Sequence, residues 1–264
     1  MTFTLRLWAP SARSTAPPGG PERMRGARAA VIFLTRLPAG RAGTEDFARA
    51  PGWFAAVGLL VGGVQAVVYL LANALWGPAL AALAAIIAGL LLTGALHEDG
   101  LADTFDGLGG SPRSERALEI MRDSRIGSFG ALALGLVLGA SVLALAQLGA
   151  GAAPVALIAA AGLSRAAMGV MLRHGPYLRA QGTGTGMTGP QNGLPIALAV
   201  AFALALGFLA LGGAVLSGLA GLLAGAGVIW RWSRRRLGGV TGDILGAAQQ
   251  LGALGFLLGV LAWP

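Results

Sequence analysis

The segment His97-Glu98-Asp99-Gly100-Leu101-Ala102-Asp103-Thr104-Phe105-Asp106-Gly107 concentrates the side chains able to do polar chemistry. No charged residue lies between Arg49 and Glu98, and seven of the chain's 11 acidic residues then fall between Glu98 and Asp123. Carboxylates set so close repel one another unless a cation holds them. On a helix, Asp99, Asp103 and Asp106 are spaced i, i+4 and i+7, within about 60° of one another on one face. Hard oxygen ligands in that arrangement suit Mg2+, which keeps several waters and is held by a few carboxylates together with phosphate oxygens. The three aspartates are therefore expected to converge on one divalent cation and, through it, on a phosphorylated substrate. A solvated acidic loop paired with Arg113, Arg116, Arg122 and Arg125 is the competing explanation.

Other residues are candidates at the same place. His97 can serve as a proton acceptor or a ligand, or simply stand where the bilayer ends. Asp123-Ser124-Arg125, with Arg122, bring one more acid and two guanidinium forks, which match phosphate oxygens in bidentate fashion. A salt-bridged surface helix would use the same residues. Arg165 lies inside an apolar run, where it either snorkels to the interface or faces the bundle and binds phosphate. Asp243 opens the last apolar run, where a helix N-terminus favours an acid anyway, so capping competes with catalysis.

These residues need a scaffold, and composition says which kind. The chain has 264 residues, 55% of them hydrophobic and 11% charged, with a mean hydropathy of +0.72. That leaves too little polar surface for a soluble domain of this size. Crossing a bilayer takes about 20 consecutive apolar residues, and such runs occur at 52–75, 78–96, 127–149, 152–172, 194–212, 213–230 and 243–262. The expected fold is all-α, a polytopic membrane bundle of about seven transmembrane helices. Gly212 and Gly213 divide the fifth run from the sixth. With that division, eighteen of the 19 cationic residues, all arginine, lie in the N-terminal segment and the loops at 97–126, 173–193 and 231–242. They then share one side, which the positive-inside rule makes cytoplasmic, with the N-terminus cytoplasmic too.

The net charge of +8 follows from that topology and from anionic lipid headgroups, and no soluble basic domain is present to bind nucleic acid. Cysteine is absent, which excludes disulfides, thiolate metal sites and cysteine nucleophiles. Residues 1–28, with Pro17, Pro18, Gly19, Gly20 and Pro21, read as a disordered extension before one membrane domain at 29–264, and Met24 is expected to be the true start. Ala29 to Pro38 is apolar but too short to cross, and is expected in the interface. Ser111 to Arg125 reads as a surface helix with Ser111 as cap and Pro112 at the first helical position. The loops at 173–193 and 231–242 are glycine-rich, which allows close backbone approach to a ligand.

HEDGLADTFDG, ALEIMRDSRIGSFGALAL, LSRAAM and GGVTGDILGA, in this order and preceded by FLTRLP, closely resemble the cobalamin synthase family, also called adenosylcobinamide-GDP ribazoletransferase. The likeness runs from about Ala29 to Ala248. It implies an Mg2+-dependent enzyme of the bacterial inner membrane, with its active site on the cytoplasmic side. Such an enzyme joins adenosylcobinamide-GDP to α-ribazole, or to its 5′-phosphate, and releases GMP. Carried onto the matched motifs, it implies Asp99, Asp103 and Asp106 on the metal and His97 as general base, with Asp123 as its orienter or a further ligand. Arg122, Ser124, Arg125, Arg165, Arg179 and Asp243 would bind substrate. Gln249-Gln250 stand where the family pattern suggests an acid, and the Gly-Thr loop after Arg179 departs from it as well.

Other classes fit less well. The motif lacks the arginine and the wider aspartate spacing of CDP-alcohol phosphotransferases, and aspartate-rich prenyltransferases carry two such motifs. A cation transporter would need acids along the spans, and no inverted repeat is visible. A homo-oligomer is left open.

Overall fold

The computed structural model describes residues 22–179, 185–187 and 193–263, so the expectations for residues 1–21 and for most of the Gly-Thr loop lie outside it. The described chain is helical and contains no strand, only an isolated bridge between Tyr177 and Val240. Ten helices follow in order: α1 (Glu22–Leu34), α2 (Thr44–Arg49), α3 (Phe54–Trp76), α4 (Pro78–Thr93), α5 (Leu96–Gly110), α6 (Ser114–Ile120), α7 (Ser128–His174), α8 (Gly193–Leu211), α9 (Ala214–Arg236) and α10 (Gly242–Leu261).

Turn residues set the boundaries. α3 ends at Gly77 (φ 79°) and Pro78 opens α4, where its missing N–H costs nothing. Gly212 (φ 58°) separates α8 from α9 as the sequence predicts. The runs 127–149 and 152–172 are two arms of α7, bent where Gly149 leaves helical geometry. Five helices are long and apolar enough to cross a membrane, and a sixth span arises if α4 and α5, bent by 91°, are taken together. Large apolar side chains such as Leu91, Leu136 and Leu209 face outward, as they must where lipid is the solvent. Inside, small residues let helices touch: a Cβ added at Gly221 of α9 would stand 2.0 Å from the Gly255 carbonyl oxygen of α10.

Two boundaries differ from expectation. α1 begins at Glu22 rather than near Ala29, and it packs Ala29, Ala30 and Leu34 fully into the core, with Phe33 stacked on Phe54 at 5.7 Å. The surface helix starts at Ser114, not Ser111, because α5 continues to Gly110 and Ser111 is extended. The Ser111 hydroxyl accepts the Arg113 N–H at 3.2 Å, a local turn that leaves Pro112 in the linker. α6 is then tied to the end of α9, since Ser114 Oγ donates to the Arg236 carbonyl at 2.7 Å.

The segment after α1, the whole of α5 and α6, the loop after α7 and the turn before α10 meet at one end of the bundle. That is the end where the sequence clusters its acids and most of its arginines.

Candidate active site

The site exists because α4 stops abruptly. Gly94 (φ 68°) and Ala95 (φ 58°) are both left-handed, and Ala95 is the one described non-glycine residue with positive φ. Such a backbone is strained for a residue with a Cβ and persists only where its surroundings hold it. The chain after α1 supplies that hold: the Arg36 N–H donates to the Leu92 carbonyl at 2.8 Å, and the Arg36 side chain lies over Gly94. α5 thereby leaves at 91° to α4 and crosses the start of α10. Two glycines permit the crossing. A Cβ on Gly100 would stand 2.9 Å from Asp243 Cα, and one on Gly246 would stand 3.0 Å from the His97 carbonyl oxygen.

Backbone-to-backbone contact here sets acids of α5 against the acid of α10. Asp103 lies in the field of Asp99, Asp243 and Asp106, and one cation, Arg179, opposes them. Asp243 is paired with Arg179 at 2.5 Å and accepts a hydrogen bond from Thr241 Oγ1 at 3.3 Å. Thr241 Oγ1, not Asp243, accepts the Ile244 N–H and caps α10, so the carboxylate of Asp243 is turned toward Arg179. Arg179 is itself brought in by two backbone bonds of 2.9 Å, Leu178 N–H to Val240 and Val240 N–H to Pro176.

A cavity of about 150 Å3 opens between these elements, lined by His97, Asp99, Tyr177, Arg179 and Asp243 on its polar side. Phe33, Met168 and Met187 are among its apolar walls. His97 is 1% exposed, and among the described residues neither ring nitrogen has a hydrogen-bond partner. A buried imidazole without partners is costly unless a ligand or water meets it. Burial pushes the Tyr177 hydroxyl above its usual range, which keeps it a neutral donor beside Asp243.

The donor chemistry fits a divalent cation. Carboxylates outnumber cations at a place where an anionic diphosphate could otherwise not approach. The geometry also corrects the expected triad: among the described residues no three His, Cys, Asp or Glu side chains are placed to hold one metal ion. Asp106 has turned away, accepting the Gly127 N–H at 2.7 Å and the Gly130 N–H at 2.8 Å. The free N–H groups of a helix start and its positive dipole end compete strongly for a carboxylate, and Asp106 caps α7 for that reason. Asp99 and Asp103 remain, and two carboxylates with phosphate oxygens are a usual Mg2+ environment.

Five other expected site residues lie away from the cavity. Asp123 stands on the outer surface in a bidentate pair with Arg125, at 2.6 Å for the closer contact, which holds its carboxyl down to about 2. Arg122, Ser124 and Arg125 are exposed there as well. Local pairing two residues apart needs no tertiary fold. Arg165 is 3% exposed and neither snorkels nor lines this cavity; it lines another, with Glu98.

Sequence reasoning missed Tyr177, Phe33 and Met187. Phe33 lies in the FLTRLP motif, and Tyr177 is one of two tyrosines in the chain, but only the fold places them here.

Comparison with known proteins accords with this architecture. No solved structure matches the chain significantly. The adenosylcobinamide-GDP ribazoletransferase of Leptothrix cholodnii is 42% identical over 254 residues, covering 88% of this chain and 93% of its own length. The family described as cobalamin-5-phosphate synthase matches residues 26–261, from within α1 to the end of α10 and through every element that builds the cavity, and to that family the chain belongs.

Proposed function

We propose that this membrane enzyme of the cobalamin-5-phosphate synthase family joins adenosylcobinamide-GDP to α-ribazole, or to its 5′-phosphate, with release of GMP. The observation that carries the reading is the cavity in which Asp99 and Asp243, with Asp103 beside them, face one cation among the described residues, Arg179. Asp99 and Asp103 would hold Mg2+, which when bound neutralises charge on the diphosphate and the departing GMP. Arg179 contacts phosphate from the opposite wall and is kept in place by Asp243. The ribazole hydroxyl forms the new P–O bond at the phosphorus attached to cobinamide, and the P–O bond to GMP breaks. His97 accepts the hydroxyl proton through a ring nitrogen that no described residue occupies. Tyr177 donates toward the phosphates. Phe33, Met168 and Met187 exclude water from the reacting atoms.

By the positive-inside rule the arginine-rich end that holds the cavity would face the cytoplasm, and the family implies the bacterial inner membrane as its location. The test is GMP release from adenosylcobinamide-GDP and α-ribazole by washed membranes. Release is expected with Mg2+ and lost on chelation with EDTA; release undiminished by EDTA removes the metal, and no release with either ribazole form removes the reaction.

A further inference from the structure

A second cavity, of about 60 Å3, lies against the other side of α5. Its polar lining comes from α3, α4, α5, α7 and α10: Gln65, Thr93, Glu98, Ser141, Arg165 and Gln250. Glu98 and Arg165, side chains of opposite charge, both line it. Glu98 Oε1 accepts from Gln250 Nε2 at 2.6 Å, while its Oε2 is buried without a partner. Arg165 Nη1 donates to the Ala161 carbonyl of its own helix at 3.2 Å, while its Nε is buried without a partner. Two buried groups of opposite charge, each with an unmet hydrogen-bonding atom, demand something polar between them. One water needs about 10–15 Å3, so the space holds roughly four. An anion would meet Glu98 and a cation would meet Arg165; water meets both.

We infer that Glu98 and Arg165 form a water-bridged ion pair that fixes the rotation of α5, making both of them positioning residues for His97 and Asp99. Glu98 is flanked by those two residues in sequence. Drawing Glu98 toward Arg165 turns its neighbours to the other cavity, where His97 and Asp99 are found. The kinetic consequence rests on the proposed transferase reaction; the pair and its waters do not.

Radiolytic hydroxyl-radical footprinting of the full-length protein in detergent tests the waters. Leu157 and Leu257, 4% and 3% exposed, line this cavity and are expected to be labelled despite burial, unlike Leu145, 0% exposed in the core. Labelling no faster than at Leu145 overturns the water bridge. For the pair, Glu98→Gln and Arg165→Met are each expected to lower Tm by roughly 10 °C, and the double variant to regain most of it. Losses that simply add overturn the pair. The double variant, though stable, is expected to stay about a hundredfold down in kcat with KM little changed, and Arg165→Lys to recover part of that loss. Full kcat in the double variant overturns the positioning role. A wild-type protein that releases no GMP sinks the proposed reaction, yet footprinting and the Tm cycle still decide the pair.

Discussion

The two cavities on either side of α5 are built from neighbouring residues and differ in how their charges balance. On one side, among the described residues, Asp99 and Asp243, with Asp103 near, face Arg179 alone, and His97 presents two unpartnered ring nitrogens. On the other, one carboxylate, Glu98, meets one guanidinium, Arg165, among amides and hydroxyls. Excess charge of one sign is stable only when a ligand of the other sign arrives, so the first cavity is read as a place for substrate and metal. Balanced charge needs only solvation, so the second is read as a device that holds the helix. Consecutive residues of one motif therefore serve different ends, and their roles cannot be assigned from the motif as a block.

The sharpest way to break this contrast is Asp103→Asn. Loss of one charge-bearing group at a phosphoryl-transfer site is expected to cost about a thousandfold in GMP release while membrane insertion persists; near-normal turnover would empty the first cavity of its assigned chemistry. Arg179→Met comes next. It leaves Asp243 without its cation and is expected to raise KM for adenosylcobinamide-GDP by about tenfold or more, with a smaller change in kcat. An unchanged KM would make the Arg179–Asp243 pair structural.

Asp106→Ala sharpens the comparison from the third aspartate. Removing a helix cap is worth about 1–2 kcal/mol, so Tm is expected to fall while the folded fraction retains most of its turnover. Loss of turnover with Tm unchanged would return Asp106 to the metal. The smallest effect belongs to Asp123→Asn, because exposed pairs contribute little. The Asp123 carboxyl is held below its usual range by Arg125, so their attraction is complete above the ordinary carboxylate range and disappears as pH falls toward about 2. A carbon-13 titration of Asp123 that stays near the ordinary aspartate value would deny the pair.

Much of the bundle is legible in the residues. Apolar runs must be helical in lipid because no water is present to satisfy the backbone, and Gly77, Gly149 and Gly212 mark the breaks with positive φ. The acid cluster at Asp99 and Asp103 is legible for the same local reason: helical spacing puts both on one face. The reading fails where a distant segment competes. Nothing near Asp106 in sequence announces that the N–H groups of Gly127 and Gly130 will take its oxygens. Asp123 is the opposite case: Arg125, two residues away, is already legible as its salt-bridge partner, and the fold keeps that local pair outside the cavity.

The sequence by itself determined that this chain is a helical membrane protein with carboxylates concentrated beside a helix end, because hydropathy, helical period and turn preference act over a few residues. Only the tertiary structure decided which carboxylates act together. The 91° break after α4, the glycine crossing of α5 with α10 and the backbone bridge that delivers Arg179 join residues up to 149 positions apart, from His97 to Gly246. Electrostatic energy and hydrogen bonding depend on distance in space, and that distance is set by packing among helices that the local pattern does not encode.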